Sequence, residues 1–309
     1  MNPLLTGKPF ISIIIPTYSR PTQLATCLQS LANLRYPRDR FEVIVVDDGS
    51  DPPLNVIVAN FKDRLEVKWL RQENAGPATA RNTGAALARG EFLVFTDDDC
   101  APAPDYLQKL AQRFAQTPDG LVGGRTINTL ADNLFSSASQ MLSDYLYAYF
   151  NAPQPRFFAS NNFAVPNSLF HLIGGFDTTY PLAAAEDRDF CERWRFHDHP
   201  MIYAPEAHIY HAHALTGRKF WRQHFNYGRG AFHFHRARAQ HHRAPIKVEP
   251  ISFYLNLLRY PFAQASGGRA LRLTALLAAA QAATVAGFFR EKHRRKKDAN
   301  IPRGSVCRV

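Results

Sequence analysis

Cysteine chemistry is nearly absent from this chain. Its four cysteines, Cys27, Cys100, Cys191 and Cys307, stand far apart with no CxxC pair. That excludes a zinc knuckle and a disulfide framework and makes a reducing compartment the expected setting. No glycine-rich loop of the Walker type occurs, which argues against a P-loop ATPase. Internal repeats and low-complexity linkers are missing too. The N-terminal stretch "MNPLLTGKPFISIIIPTYSRP" has no basic segment followed by a long apolar core, so no secretory signal is expected.

Acidic residues are scarce late in the chain. Overall, 37 Lys and Arg face 26 Asp and Glu, a formal charge of +11 over 309 residues. A balance of that kind suits nucleic acid, anionic lipid or a phosphorylated substrate. The basic residues gather in "RKFWRQHFNYGRGAFHFHRARAQHHR" and "REKHRRKK", whereas the acids concentrate in the first two thirds. The basic stretches carry no nucleic-acid motif, so nucleic acid is not the expected partner.

Short β-branched runs alternate with helical periodicity through the first 120 residues. "FISIII", "FEVIVV", "LEVKWL" and "FLVFT" read as strands. Leu24, Cys27, Leu28 and Leu31 mark a helix after the first, an Ala-rich helix is expected across "PATARNTGAALARG", and Leu107, Leu110, Ala111 and Phe114 mark another from near Pro104. Strands apolar throughout and alternating with helices predict an α/β chain, a Rossmann-like, mostly parallel sheet covered on both faces. Ligands then bind beyond the carboxyl ends of the strands.

Two acidic clusters sit at such ends: Asp47-Asp48 after "VIVV", and Asp97, Asp98 and Asp99 after "FLVF". Adjacent carboxylates repel one another unless something positive offsets them, and a hard cation shared with substrate phosphates does so. Taken singly, each cluster also reads as turn chemistry. Their order, "IIIPTYSR", "VIVVDDGS", "NAGPATARNTG", "FLVFTDDDC", is the stronger signal.

That series resembles the family 2 glycosyltransferases of the GT-A fold, from about Phe10 to about Gly230. The resemblance implies a metal-dependent, inverting transfer of a sugar from a nucleotide-diphospho sugar (UDP, GDP or dTDP type) to an acceptor hydroxyl. It implies that Pro16, Thr17, Tyr18 and Asp48 hold the base, that Asp97 and Asp98 contact the ribose, and that Asp99 carries Mn²⁺ or Mg²⁺. Arg81 could reach a phosphate or lie as a solvated helix residue. In "GGFDTTYPLAAAEDRDFCERWR" the family's general base corresponds to Asp187, with Glu186 beside it as an acceptor-side group. Asn161 and Asn162 of "SNNFAVP" correspond to the acceptor-side strand, and His211 to a histidine completing the metal site. "RQHFNYG" stands where processive members carry Gln-x-x-Arg-Trp, so a single addition is expected, in polysaccharide, glycolipid or other envelope glycan synthesis. The acceptor would be a glycan, a lipid-linked sugar or a small molecule.

The expected domains are a catalytic one over 1–243, divided into a nucleotide-sugar half (about 9–120) and an acceptor half (121–243), and a basic helical extension over 244–309. The uncharged "LTALLAAAQAATVAGFF" before "REKHRRKK" is short for a membrane span and admits an interfacial helix on anionic lipid or a packed helix as well. The expected location is the cytoplasm, free or peripheral on the inner face of the cytoplasmic membrane. Two other functions stay open on sequence alone: a nucleotidyltransferase on a related α/β scaffold, disfavoured by the missing basic glycine-rich loop, and a non-enzymatic basic module that binds nucleic acid.

Overall fold

The structure, a computed structural model, describes residues 7–152, 154–180, 184–242 and 249–300. The chain divides into two compact units, Met1–Ala214 and Leu215–Val309. The boundary expected at 243/244, and Cys307, lie outside the described residues.

In the first unit the apolar runs form strands β1 (Ile11–Thr17), β2 (Phe41–Asp47), β3 (Val67–Arg71) and β4 (Phe92–Thr96). Between them lie helices α1 (Pro21–Leu31), α2 (Asn55–Ala59) and α3 (Pro77–Ala86). A short β5 (Cys100–Pro102) and α4 (Tyr106–Gln116) follow, then β6 (Leu121–Asn128), α5 (Leu134–Phe150), β7 (Asn162–Pro166), α6 (Asn167–Leu172), α7 (Glu186–Phe196) and β8 (Met201–His211). One eight-stranded sheet runs β3-β2-β1-β4-β7-β6-β8-β5. Its β3-β2-β1-β4 half is parallel, β7 runs antiparallel to β4 and β6, and β5 runs antiparallel to β8.

The helical periodicity read from sequence is the burial pattern observed: Leu24, Cys27, Leu28 and Leu31 of α1, and Leu107, Leu110 and Phe114 of α4, are buried. They pack with Ile13, Ile15, Val43, Val45 and Val94 on one face of the sheet, while Phe95, Phe163, Phe170, Phe176 and Phe190 fill the other. This two-sided burial is why the strands show no polar alternation.

The register explains where a crevice forms. β1 pairs with β2 as far as Thr17↔Asp47, but with β4 only as far as Ile14↔Phe95. Pro16, which has no N–H to give a neighbouring strand, stands where β1 and β4 part. The strand order also reverses there, because β1 leads to β2 on one side and borders β4 on the other. A topological switch point of this kind is the usual ligand crevice of an open α/β sheet.

The second unit consists of α8 (Gly217–His242), α9 (Ile251–Gln264) and α10 (Gly267–Asn300). Helices α8 and α10 run side by side. The two helices meet backbone to backbone: a Cβ on Gly228 would lie 1.8 Å from the Thr284 carbonyl oxygen, and one on Gly287 1.9 Å from that of Phe225. Gly228→Ala is therefore expected to destabilise the helical unit by about 1–3 kcal/mol through overpacking. Gly268→Ala, with open space around its Cβ, should be neutral or slightly stabilising. Urea unfolding followed by circular dichroism reads both, and equal midpoints for the two variants would contradict the close crossing.

Candidate active site

The three aspartates after β4 are held by cations of the protein itself. Asp98 is buried and its carboxylate is fully engaged: Oδ2 accepts from the Thr17 hydroxyl at 2.7 Å and Oδ1 from Arg20 at 3.0 Å. The same Arg20 nitrogen donates to Asp99 Oδ2 at 3.0 Å. Arg81 donates to Asp97 Oδ1 at 2.8 Å. Repulsion between neighbouring carboxylates is thus offset by two guanidinium groups, one on each side of the cluster.

Arg20 is the residue the sequence reading missed. It follows Ser19, whose φ of 53° is left-handed, an uncommon conformation for serine that turns the chain sharply between β1 and α1. The signal was present in "PTYSRP", where Arg20 is the one cation next to residues already assigned to the site.

Asp99 points its second oxygen at His211. Oδ1 lies 3.2 Å from Nε2 of His211 and is buried without an aligned hydrogen-bond partner. The β5–β8 register sets Cys100 directly opposite His211. Carboxylate, thiol and imidazole ligand atoms of Asp99, Cys100 and His211 all lie within 4.8 Å of one another. An orphaned carboxylate oxygen facing an imidazole nitrogen fits a divalent cation, Mn²⁺ or Mg²⁺ being served by the oxygen donor and Mn²⁺ also by the nitrogen.

The electrostatics agree with this crowding. Burial raises Asp98 to about 6, with Arg20 and Thr17 opposing the rise. Burial acts the same way on Asp99, yet His211 and Arg20 together hold its carboxyl well below the usual range. Burial works against a charge on His211, but the Asp99 carboxylate beside it raises its pKa. His213, its ring centroid 5.1 Å from that of His211, is pushed down to about 4 by burial and by that neighbouring charge.

Asp48 faces a different task. Its Oδ1 accepts from the Ala75 N–H at 2.9 Å and the Gln72 amide at 2.7 Å, and its Oδ2 from the Gly76 N–H at 2.9 Å. This ties the loop after β3 to the end of β2. Gly49 allows the approach, because at φ 87° its Cβ would lie 2.9 Å from the Asn74 nitrogen. An open cleft of about 450 Å³ lined by Gly49, Arg71, Gln72, Glu73 and Asn74 adjoins it. Tyr18, 53% exposed, offers a ring face for stacking. Asp47, adjacent in sequence, instead accepts from the Ser50 and Leu54 N–H groups and closes the turn.

Arg81 is not a solvated helix residue: only 3% exposed, it spends one terminal nitrogen on Asp97 and the other on Glu186 Oε1 at 3.1 Å. It thereby fixes the start of α7 beside the end of β4. Asp97, whose side chain is 33% exposed, is the most open of the three aspartates.

At α7 the chain enters through Ala185 at φ 76°, a left-handed alanine whose strain the surroundings must hold. Glu186 is buried, with Oε2 unpartnered. Burial and the adjacent Asp187 charge raise it to about 7 despite Arg81. Asp187 is half-buried; Oδ1 accepts from the Arg188 N–H at 2.8 Å and Oδ2 from the Ser160 N–H at 3.4 Å. Burial raises its pKa as well.

The adjacent asparagines part company. Asn162 is fully buried, accepts from Tyr106 at 2.9 Å and donates to Thr126 at 3.3 Å, and so braces β7 against α4 and β6. Asn161 keeps a buried Oδ1 without a partner while its amide leans on Cys100 at 3.8 Å.

The profile of "Glycosyl transferase family 2" matches residues 12–178. Glycosyltransferase AglE of Haloferax volcanii is 36% identical over 119 residues, 38% of this chain and 39% of that protein. Validoxylamine A glucosyltransferase of Streptomyces hygroscopicus is 29% identical over 229 residues, 64% of this chain and 54% of the relative. The chain thus spans two fifths to about half of these relatives. Among solved structures, mannosyltransferase PcManGT of Pyrobaculum calidifontis, in complex with GDP-Man and Mn²⁺, aligns with a TM-score of 0.67 at 22% identity, over 94% of this chain and 89% of that one. Staphylococcus aureus TarS residues 1–349 with UDP aligns with a TM-score of 0.54 at 19% identity, over 93% and 92%. These likenesses give the fold expected from sequence, GT-A. With its profile running from β1 past α6 and across the acidic strand ends, this chain belongs to glycosyl transferase family 2.

Proposed function

We propose that the protein transfers a sugar, with inversion, from a nucleotide-diphospho sugar to an acceptor hydroxyl, in a reaction that needs a divalent cation. The observation that carries this reading is the chain of contacts Thr17–Asp98–Arg20–Asp99–His211 at the strand ends, joined through Arg81 to Glu186 beside Asp187. The nucleotide lies over the carboxyl ends of β1, β2 and β4, its base between Tyr18 and the Asp48 loop and its ribose near Asp97. Asp99 and His211 would hold Mn²⁺ or Mg²⁺, which offsets the negative charge of the departing diphosphate when bound. Asp187 takes the acceptor proton as the acceptor oxygen forms its bond to the anomeric carbon and the bond to the diphosphate breaks. Asn161, whose carbonyl oxygen is unpartnered, would accept from an acceptor hydroxyl. The missing processivity motif supports one addition per encounter. Acceptors are sugars of a glycan, a lipid-linked glycan or a small molecule.

The nucleotide sugars named in the PcManGT and TarS structures support the donor class, whether UDP, GDP or dTDP. Thermal unfolding with each nucleotide, with and without Mn²⁺, tests it. One nucleotide at about 100 times its dissociation constant is expected to add about 2.7 kcal/mol, only with Mn²⁺, and Asp99→Ala should abolish that gain. Equal stabilisation without metal, or in the variant, would overturn the metal-bridged site.

A further inference from the structure

Among the described residues, the helical unit leaves two apolar faces uncovered. On α10, Ala270, Leu273, Leu277, Ala280, Gly287 and Glu291 form the buried face. The opposite side carries Leu271 (62% exposed), Val285 and Phe289, with exposed alanines at 275, 278 and 282 between them. The spacing of four, three, four, three and four keeps one line along the helix, about 27 Å from end to end at 1.5 Å per residue. On α9, Ile251 (78% exposed), Leu255 and Phe262 repeat the pattern. Monomeric proteins rarely leave large apolar side chains aligned on two successive helices.

Charge selects among the occupants. Of the 37 Lys and Arg, 19 lie from Leu215 onward, against three of the 26 Asp and Glu. A second copy would bring this excess against itself. A transmembrane course has a basis in composition, since Gly267–Arg295 is, among the described residues, long and apolar enough to cross a bilayer. Its other face argues against that course: Glu291 is fully buried in a cluster with Arg229, His233 and Arg294, and its neighbour α8 carries arginines along its length, a poor fit to hydrocarbon. Arg272 and Arg290 adjoin Leu271 and Phe289 in sequence, so their stems can lie along an interface with the cations at headgroup level.

We propose that α9 and α10 dock on an anionic lipid surface, the apolar lines entering the headgroup boundary and the flanking arginines and lysines meeting the headgroups. This docking is independent of the transfer reaction and is measured without substrate.

The test is flotation of the full chain with vesicles of phosphatidylcholine alone and of equal parts phosphatidylcholine and phosphatidylglycerol. Binding is expected to the second and not the first. Leu271→Glu/Val285→Glu/Phe289→Glu should lower it at least about tenfold, with helical circular dichroism retained because all three side chains are exposed. Arg272→Gln/Arg290→Gln/Lys292→Gln, which spares the apolar line, should lower it several-fold. Absence of flotation with anionic vesicles overturns the proposal, and so does a triple-glutamate variant that binds like the wild type. Resistance of the bound protein to alkaline carbonate extraction replaces docking by spanning. A concentration-dependent dimer that the glutamates disrupt, without vesicle binding, replaces lipid by a second copy.

Discussion

Asp187→Asn is expected to lower kcat by about a hundred- to ten-thousandfold while leaving nucleotide affinity nearly unchanged. Asparagine keeps the size of the side chain and one oxygen, which can still accept from the Arg188 or Ser160 N–H. It cannot take a proton. Burial raises the Asp187 pKa, making its carboxylate a stronger base than an exposed aspartate. The rate should therefore rise with pH as Asp187 ionises, and this limb should be missing from the residual activity of the variant. Transfer from labelled donor gives kcat, and thermal unfolding with nucleotide and Mn²⁺ gives donor binding separately. A variant with normal kcat would remove Asp187 from the base role. One that loses kcat and nucleotide binding together would move the residue to the donor side.

The strands and helices around the crevice were legible because each is a local pattern. "FISIII" and "FEVIVV" are apolar at every position, as strands buried on two faces must be, and α1 and α4 carry their burial pattern in sequence. What was not legible depends on register between distant segments. Cys100 and His211 face each other only because three residues of β5 pair with the end of β8, more than a hundred positions on in the chain. Arg81 looked like a surface helix residue because its partners, Asp97 and Glu186, come from different parts of the chain. Asn161 and Asn162 look alike in sequence, yet Asn162 opens the buried strand β7 whereas Asn161 lies in the turn before it.

Arg81→Leu is expected to destabilise the first unit by about 3–5 kcal/mol at pH 8, because it removes one partner of a buried ion cluster and leaves the other uncompensated. Arg81 is the main attraction opposing the rise of Glu186, which burial and Asp187 together raise from 4.5 to about 7. Without the guanidinium that pKa climbs further. A carboxylate whose folded pKa exceeds its unfolded one binds more protons when folded, so its stabilising effect is complete below the unfolded value and is lost as pH rises through the folded one. Below about 7, Glu186 is protonated in both proteins, and the variant lacks mainly the Arg81–Asp97 pair, in which Asp97 is partly open to water. Above that, the wild type ionises Glu186 against Arg81 whereas the variant must keep it neutral or bury an unpaired charge. The stability gap should therefore widen as pH rises past about 7, measured as the difference in urea unfolding free energy at pH 5.5 and pH 8. A gap that is constant, or that grows on acidification, would mean that Glu186 ionises independently of Arg81, and the link between the aspartates after β4 and the start of α7 would then rest on packing alone.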